Sequence, residues 1–205
     1  IDHHFGNSGI VVLLVGLCLL LHRLGLSQTL LADGLRLGTA DQCNALGLLL
    51  LGKLGGFGGA LKQLSIGVAS SYGKAYIHGA GDAKVGFGAD HDSFLASMAD
   101  AASSVAKRFA GKAVYINVMK NMSVDCDCCA VAEDPCMKDI GILASLDPVA
   151  LDKFCLDQVF NLPQDKDNDT QALLDRISQR HGTRIVFRAE EMGLGSTEYV
   201  VKDID

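Results

Sequence analysis

The dipeptide Asp147-Pro148, standing directly after the apolar run 140–146, constrains this chain more than any other feature. An aspartate at this position accepts amide hydrogens of the first helical turn. A proline next to it loses nothing, because its missing N–H would have had no intrahelical partner. A helix is therefore expected from Pro148, with Leu151, Phe154, Cys155 and Val159 as its buried stripe. The short apolar segment 140–143 reads as a strand feeding that helix. Residues 114–118 are rich in β-formers and read as a second strand. The two are expected to be neighbouring central strands.

Other segments extend this alternation. Asp92 or Ser93 is expected to cap a helix whose inward residues are Leu95, Met98, Ala102, Val105 and Phe109, with Gly111 closing it. Asp169 is expected to cap another, with Leu173, Leu174 and Ile177 inward and Gly182 at its end. Residues 70–88 read as a loop with a strand around 75–78. Segments 184–187 and 198–201 read as closing strands joined by a turn at 193–196. Strands alternating with helices predict an α/β fold, a layered sheet with flanking helices, mixed or mostly parallel. A single domain over 1–205 is expected, with 1–54 as an atypical Leu/Gly-rich part.

That first part is unusual. About two in five of residues 10–54 are leucine, which leaves no readable periodicity. Its glycines punctuate it into short pieces that suit buried strands and tight connections. The run 10–21 is shorter than the roughly 20 residues that span a bilayer, and no positive charge precedes it as in a secretory signal. The expectation is a buried segment and no membrane association. The first residue is Ile1 rather than Met, as in a fragment or an incompletely known sequence. A net charge of −6 and the absence of Trp argue against nucleic-acid binding, which needs lysine and arginine to neutralise phosphates. Seven cysteines, an odd and clustered set, fit reduced thiols or metal ligands, and so an intracellular, cytoplasmic protein.

Chemistry concentrates in two stretches. In 121–136, Cys126, Cys128, Cys129 and Cys136 are interleaved with Asp125 and Asp127. Four thiolates are the number that closes a tetrahedral zinc site or an iron–sulfur cluster, with Cys155 in reserve. In an extended chain, however, Cys128 and Cys129 point to opposite faces, and no second well-spaced pair follows. Reduced structural or redox-reactive cysteines are the competing reading. Asp125, Asp127 and Asp139 also suit a carboxylate-lined pocket for a hard cation or polar ligand, or else simply cap turns. The second stretch, 55–62, holds Gly58, Gly59 and Lys62. Glycines let backbone amides approach an anion, and a helix starting near Ala60 adds its positive end. The spacing is not that of a phosphate loop, and a purely structural turn reads equally well. His78 and His91 read as surface or hydrogen-bonded histidines.

The run Val124-Asp-Cys-Asp-Cys followed by 139–152 resembles a prokaryotic family, domain-of-unknown-function family 362, whose uncharacterised members are often labelled iron–sulfur-centre proteins. His4-Phe5-Gly6, 32–34, 56–62 and 190–196 resemble it too. The similarity is continuous from Gly56 onward and survives in islands before it. Cys126 and Cys128 fall on the family pattern, whereas Cys129 and Cys136 do not. Many members carry an inserted ferredoxin module after the region matching 74–78. This chain has no Cys-x2-Cys-x2-Cys run there, so the label does not transfer by that route.

Two functions follow as expectations. One is a metal or iron–sulfur site, or a zinc site, in the Cys126–Cys128–Cys129–Cys136 loop, with a redox or electron-transfer role. The other is a small-molecule enzyme whose pocket joins Gly58, Gly59 and Lys62 to Asp125 and Asp127, with His4 as a third wall. In that reading Lys62 and 125–128 share one cleft, at the carboxyl ends of parallel strands at 48–51 and 114–118.

Overall fold

The structure, a computed structural model, describes residues 9–13, 47–48, 59–110, 112–124 and 134–204. The chain runs β1 (Gly9–Leu13), β2 (Gly47–Leu48) and α1 (Ala60–Lys62), which continues as a π-helical turn over Gln63–Gly67. It proceeds through α2 (Ser71–His78), a 3-10 turn at Gly86–Gly88, α3 (His91–Arg108), β3 (Tyr115–Met119) and β4 (Gly141–Ser145). α4 (Pro148–Asn161), α5 (Gln171–Gln179), α6 (Arg184–Glu191) and β5 (Tyr199–Asp203) complete it.

β3 and β4 are direct neighbours, as their short apolar sequences predict, and they pair antiparallel with Tyr115 opposite Ser145 and Met119 opposite Gly141. The strand order is β2-β3-β4-β1-β5. β1 is antiparallel to β4 and parallel to β5, and Gly47–Leu48 runs parallel to Asn117–Val118.

The expected layered α/β sheet, mixed or mostly parallel, is corrected by this arrangement. The chain is a small mixed helix/strand fold around the two-stranded antiparallel β3–β4 pair, neither closed nor strongly layered. The cause is local. After β3 the chain turns back on itself, tied by Cys136 N–H to the Met122 carbonyl (2.7 Å) and Ile140 N–H to the Met119 carbonyl (2.9 Å). A parallel neighbour would need a crossover to the far end of the sheet. The described helices also cover the two faces unequally. Asn117, Met119, Leu143 and Ser145 are buried on the face where α4 lies across β1, β3 and β4. On the other face of the pleat, Ile116 is 43% exposed whereas Ile142 is buried.

The core lies between that face and the helices. Leu61, Leu95, Met98, Leu143, Leu151 and Ile185 are fully enclosed, with α3 packed on α6 and on the π-helical turn. The α4 stripe of Leu151, Phe154, Cys155 and Val159 is buried as its spacing predicts. Tyr199 donates to Asp157 (2.7 Å) and so ties β5 to α4.

Several boundaries and two element types differ from the sequence reading. Asp90, not Asp92 or Ser93, caps α3, accepting Ser93 N–H at 3.0 Å. Leu95, Met98 and Ala102 are buried, but Val105 is only half-buried and Phe109 is 53% exposed, because the helix ends at Arg108. Gly111 lies outside the described residues. Residues 75–78 are helical, because Ser70 caps α2 through Gly73 N–H. Residues 184–187 are helical as well. Ile185, Val186 and Ala189 are buried at helical spacing, a pattern that a short β-branched run conceals. α5 starts after Thr170 rather than at an Asp169 cap, and it stops at Gln179, before Gly182.

Candidate functional site

Two neighbourhoods bear on function, both reached from β3. The first is the base of the cysteine loop. β3 ends at Met119, Asn121 takes a left-handed turn with φ 52°, and its N–H donates to Asp139 Oδ1 at 2.9 Å. Met122 and Ser123 are buried. The chain returns at Cys136, half-buried, whose N–H reaches the Met122 carbonyl and whose own carbonyl accepts from Asp169 N–H at 2.9 Å. Next to it Lys138 N–H donates to Asn168 Oδ1 at 3.1 Å, and its ammonium pairs with Asp167 at 3.0 Å. Cys136 thus stands on a braced platform, tied back to the end of the β3 segment at Met122. Asp139 serves this platform by capping a turn.

The second neighbourhood surrounds Asp152, one residue past the Asp-Pro-Val-Ala-Leu run that opens α4. Its carboxylate is 1% exposed. Oδ1 accepts from Ala60 N–H (2.8 Å) and Asn117 Nδ2 (2.8 Å), and Oδ2 accepts from Leu61 N–H (2.9 Å). Asn117 Nδ2 also lies 3.5 Å from Cys155 Sγ. Burial pushes the Asp152 pKa up to about 6 against the pull of these hydrogen bonds, with Asp147 adding a smaller push. Burial, then the Asp152 charge, also drives the Cys155 thiol far up, so it stays protonated and is a poor nucleophile. Gly59 makes the geometry possible. Its φ is 135°, and a Cβ there would lie 2.4 Å from Asp152 Oδ1. The Ala60 and Leu61 amides, the positive end that α1 would offer to an anion, are occupied by the chain's own carboxylate.

Among the expected site residues, the structure places Gly59, Lys62 and Cys136. Gly59 precedes α1, and Lys62 ends it, half-buried and close enough to His78 to help lower that histidine's pKa. The main cause of that lowering is burial, and His78 Nδ1 bonds the Lys74 carbonyl at 2.7 Å. His91 meets Arg180 at 2.8 Å. His4, Gly58, Asp125, Cys126, Asp127, Cys128 and Cys129 lie outside the described residues, and with them the cleft expected between Lys62 and 125–128. Among the described residues, no group of three or more His, Cys, Asp or Glu is placed to hold a metal ion, and no helix is long and apolar enough to cross a membrane.

Asn117 and Asp152 carry no role in the sequence reading. The available signal was Asp152 itself, a carboxylate beside the apolar stripe of α4. An acidic residue there must find donors or remain neutral.

The architecture, then, is a small mixed helix/strand fold in which Cys136 stands on a braced platform after β3. Residues 52–157, more than half of the chain, match the family described as Domain of unknown function (DUF362), and the chain belongs to that family. No curated protein and no solved structure matches it.

Proposed function

We propose that this DUF362 chain binds a metal ion or iron–sulfur cluster through the thiolates of Cys126, Cys128, Cys129 and Cys136. With a cluster bound, its role is electron transfer. The supporting observation is the 2.7 Å bond from Cys136 N–H to the Met122 carbonyl. It joins the two ends of the segment that carries the other three cysteines. Closing a chain before its ligands meet a metal removes part of the entropy cost of assembling the site. The donor chemistry fits: four soft thiolates suit zinc or iron–sulfur and disfavour magnesium or calcium. A pocket built on Gly58, Gly59 and Lys62 has less to offer an anion, since Asp152 takes the Ala60 and Leu61 amides.

The test is anaerobic purification followed by metal and sulfide analysis, for the wild type and for Cys126→Ser/Cys128→Ser and Cys136→Ser. The expected result is about one zinc per chain, or iron with sulfide and a broad band near about 400 nm, diminished in both variants. A wild type without metal, or metal content indifferent to these cysteines, overturns the reading.

A further inference from the structure

We propose that Asp152 and Asn117 form a buried proton-operated latch on α1, in which the carboxylate holds the first turn closed and proton uptake loosens its hold on the Ala60 amide. The inference is independent of the metal reading and rests on four observations. Asp152 is enclosed, yet three N–H groups converge on it, two from α1 and one from β3. α1 has no side-chain cap of its own, so this carboxylate is what satisfies its first two amides. Asn117 Oδ1 is buried without a hydrogen-bond partner, an unusual condition for a native amide. Gly59 is held against the carboxylate by its positive φ.

These features define two arrangements of the same atoms. With Asp152 ionised, Asn117 must present its NH2 group, which leaves Oδ1 without a donor. With a proton on Asp152 Oδ1, the side-chain amide can turn over. Its oxygen then faces the carboxyl across the present 2.8 Å contact and accepts that proton. Leu61 N–H keeps its acceptor at Oδ2, while Ala60 N–H now faces the hydroxyl oxygen of a neutral carboxyl, a weaker acceptor than the carboxylate oxygen it replaces. The NH2 group also leaves Cys155 Sγ. The proton comes from solvent, and no other covalent bond changes.

The raised pKa of about 6 puts the change within reach of ordinary buffers. On α4, Asp147 favours the protonated form, and the Cys155 thiol is held neutral by burial. α1 carries Lys62 and β3 carries Tyr115. α4 also carries Lys153 and Asp157, which pair with each other. α6, which packs on α4, carries Glu190, engaged by Thr197, together with Arg184, Arg188 and Glu191. These last three are joined in ion pairs that include Asp100 of α3.

The experiment is an NMR titration of the isotopically labelled full chain from pH 8 to pH 5. It follows the Asp152 side-chain carboxyl carbon, the Ala60 and Leu61 amides and the Asn117 side-chain NH2. The expected result is one shared midpoint at about 6, with a larger shift at Ala60 than at Leu61 and a large shift at Asn117. Asp152→Asn should abolish the Ala60 titration. A carboxyl that completes its titration in the ordinary aspartate range overturns the latch. So does an Ala60 or Asn117 signal that fails to move with the carboxyl, or an Ala60 titration that persists in Asp152→Asn. If that variant does not fold, the wild-type titration alone decides.

Discussion

Asp147 and Ser196, 49 positions apart, are joined by a 2.9 Å bond from the Ser196 backbone N–H to Asp147 Oδ2. The other oxygen, Oδ1, caps α4 through Val149 N–H (2.8 Å) and Ala150 N–H (3.0 Å). One carboxylate thus starts a helix and pins the turn before β5. Asp147→Ala should cost about 2 kcal/mol in urea unfolding, roughly 1 for the cap and a similar amount for the lost charged hydrogen bond. Asp147→Asn should cost less, because Oδ1 is retained. Equal losses in the two variants would show that the cap oxygen does not matter.

Asp152 should make stability depend on pH in a direction opposite to most buried salt-bridged acids. Its folded pKa, about 6, lies above the ordinary 3.8, so the unfolded chain gives up this proton first as pH rises. The stabilising contribution is full below the ordinary value and is lost as pH climbs through about 6. The difference in unfolding free energy between wild type and Asp152→Asn should therefore fall by on the order of 2 kcal/mol from pH 4 to pH 7. Urea unfolding at a series of pH values measures it. A constant or rising difference would contradict the assignment.

Gly59 should tolerate no side chain. Gly59→Ala combines an unfavourable φ with a Cβ 2.4 Å from Asp152 Oδ1, so a loss of about 2–4 kcal/mol is expected. Adding Asp152→Ala removes the clash, and the double variant should lose less than the sum of the singles. Additive losses would place the strain elsewhere.

What the sequence disclosed was whatever is encoded by near neighbours. Asp147-Pro148 marks α4 because a cap and a proline act within one turn, and the apolar stripe from Leu151 to Val159 follows from spacing. Residues 184–187 look like a strand because Ile-Val-Phe is β-rich, and burial of Ile185, Val186 and Ala189 on one helical face settles them as helix. The antiparallel pairing of β3 with β4 depends on where the chain turns, and the ties at Met119 and Met122 are backbone bonds without a side-chain signature. Of the site, the glycine stretch and the cysteine loop were visible as unusual compositions. The use of the Ala60 and Leu61 amides was not, because their acceptor sits on α4. Cys126, Cys128 and Cys129 lie outside the described residues.

The distance between Asp152 and the amides it caps also sets an order of assembly. α1 has three residues, and so short a helix does not persist in water unaided. Its acceptor is 92 positions further along the chain. A ribosome releasing this protein from its amino end delivers the glycine turn well before α4 has been made. The first turn of α1 must wait, its amides bound to water, until α4 has docked against β3 and brought Asp152 with it. Such a non-local closure belongs late on a folding route, which makes α1 a latecomer even though it is the first helix in the described chain.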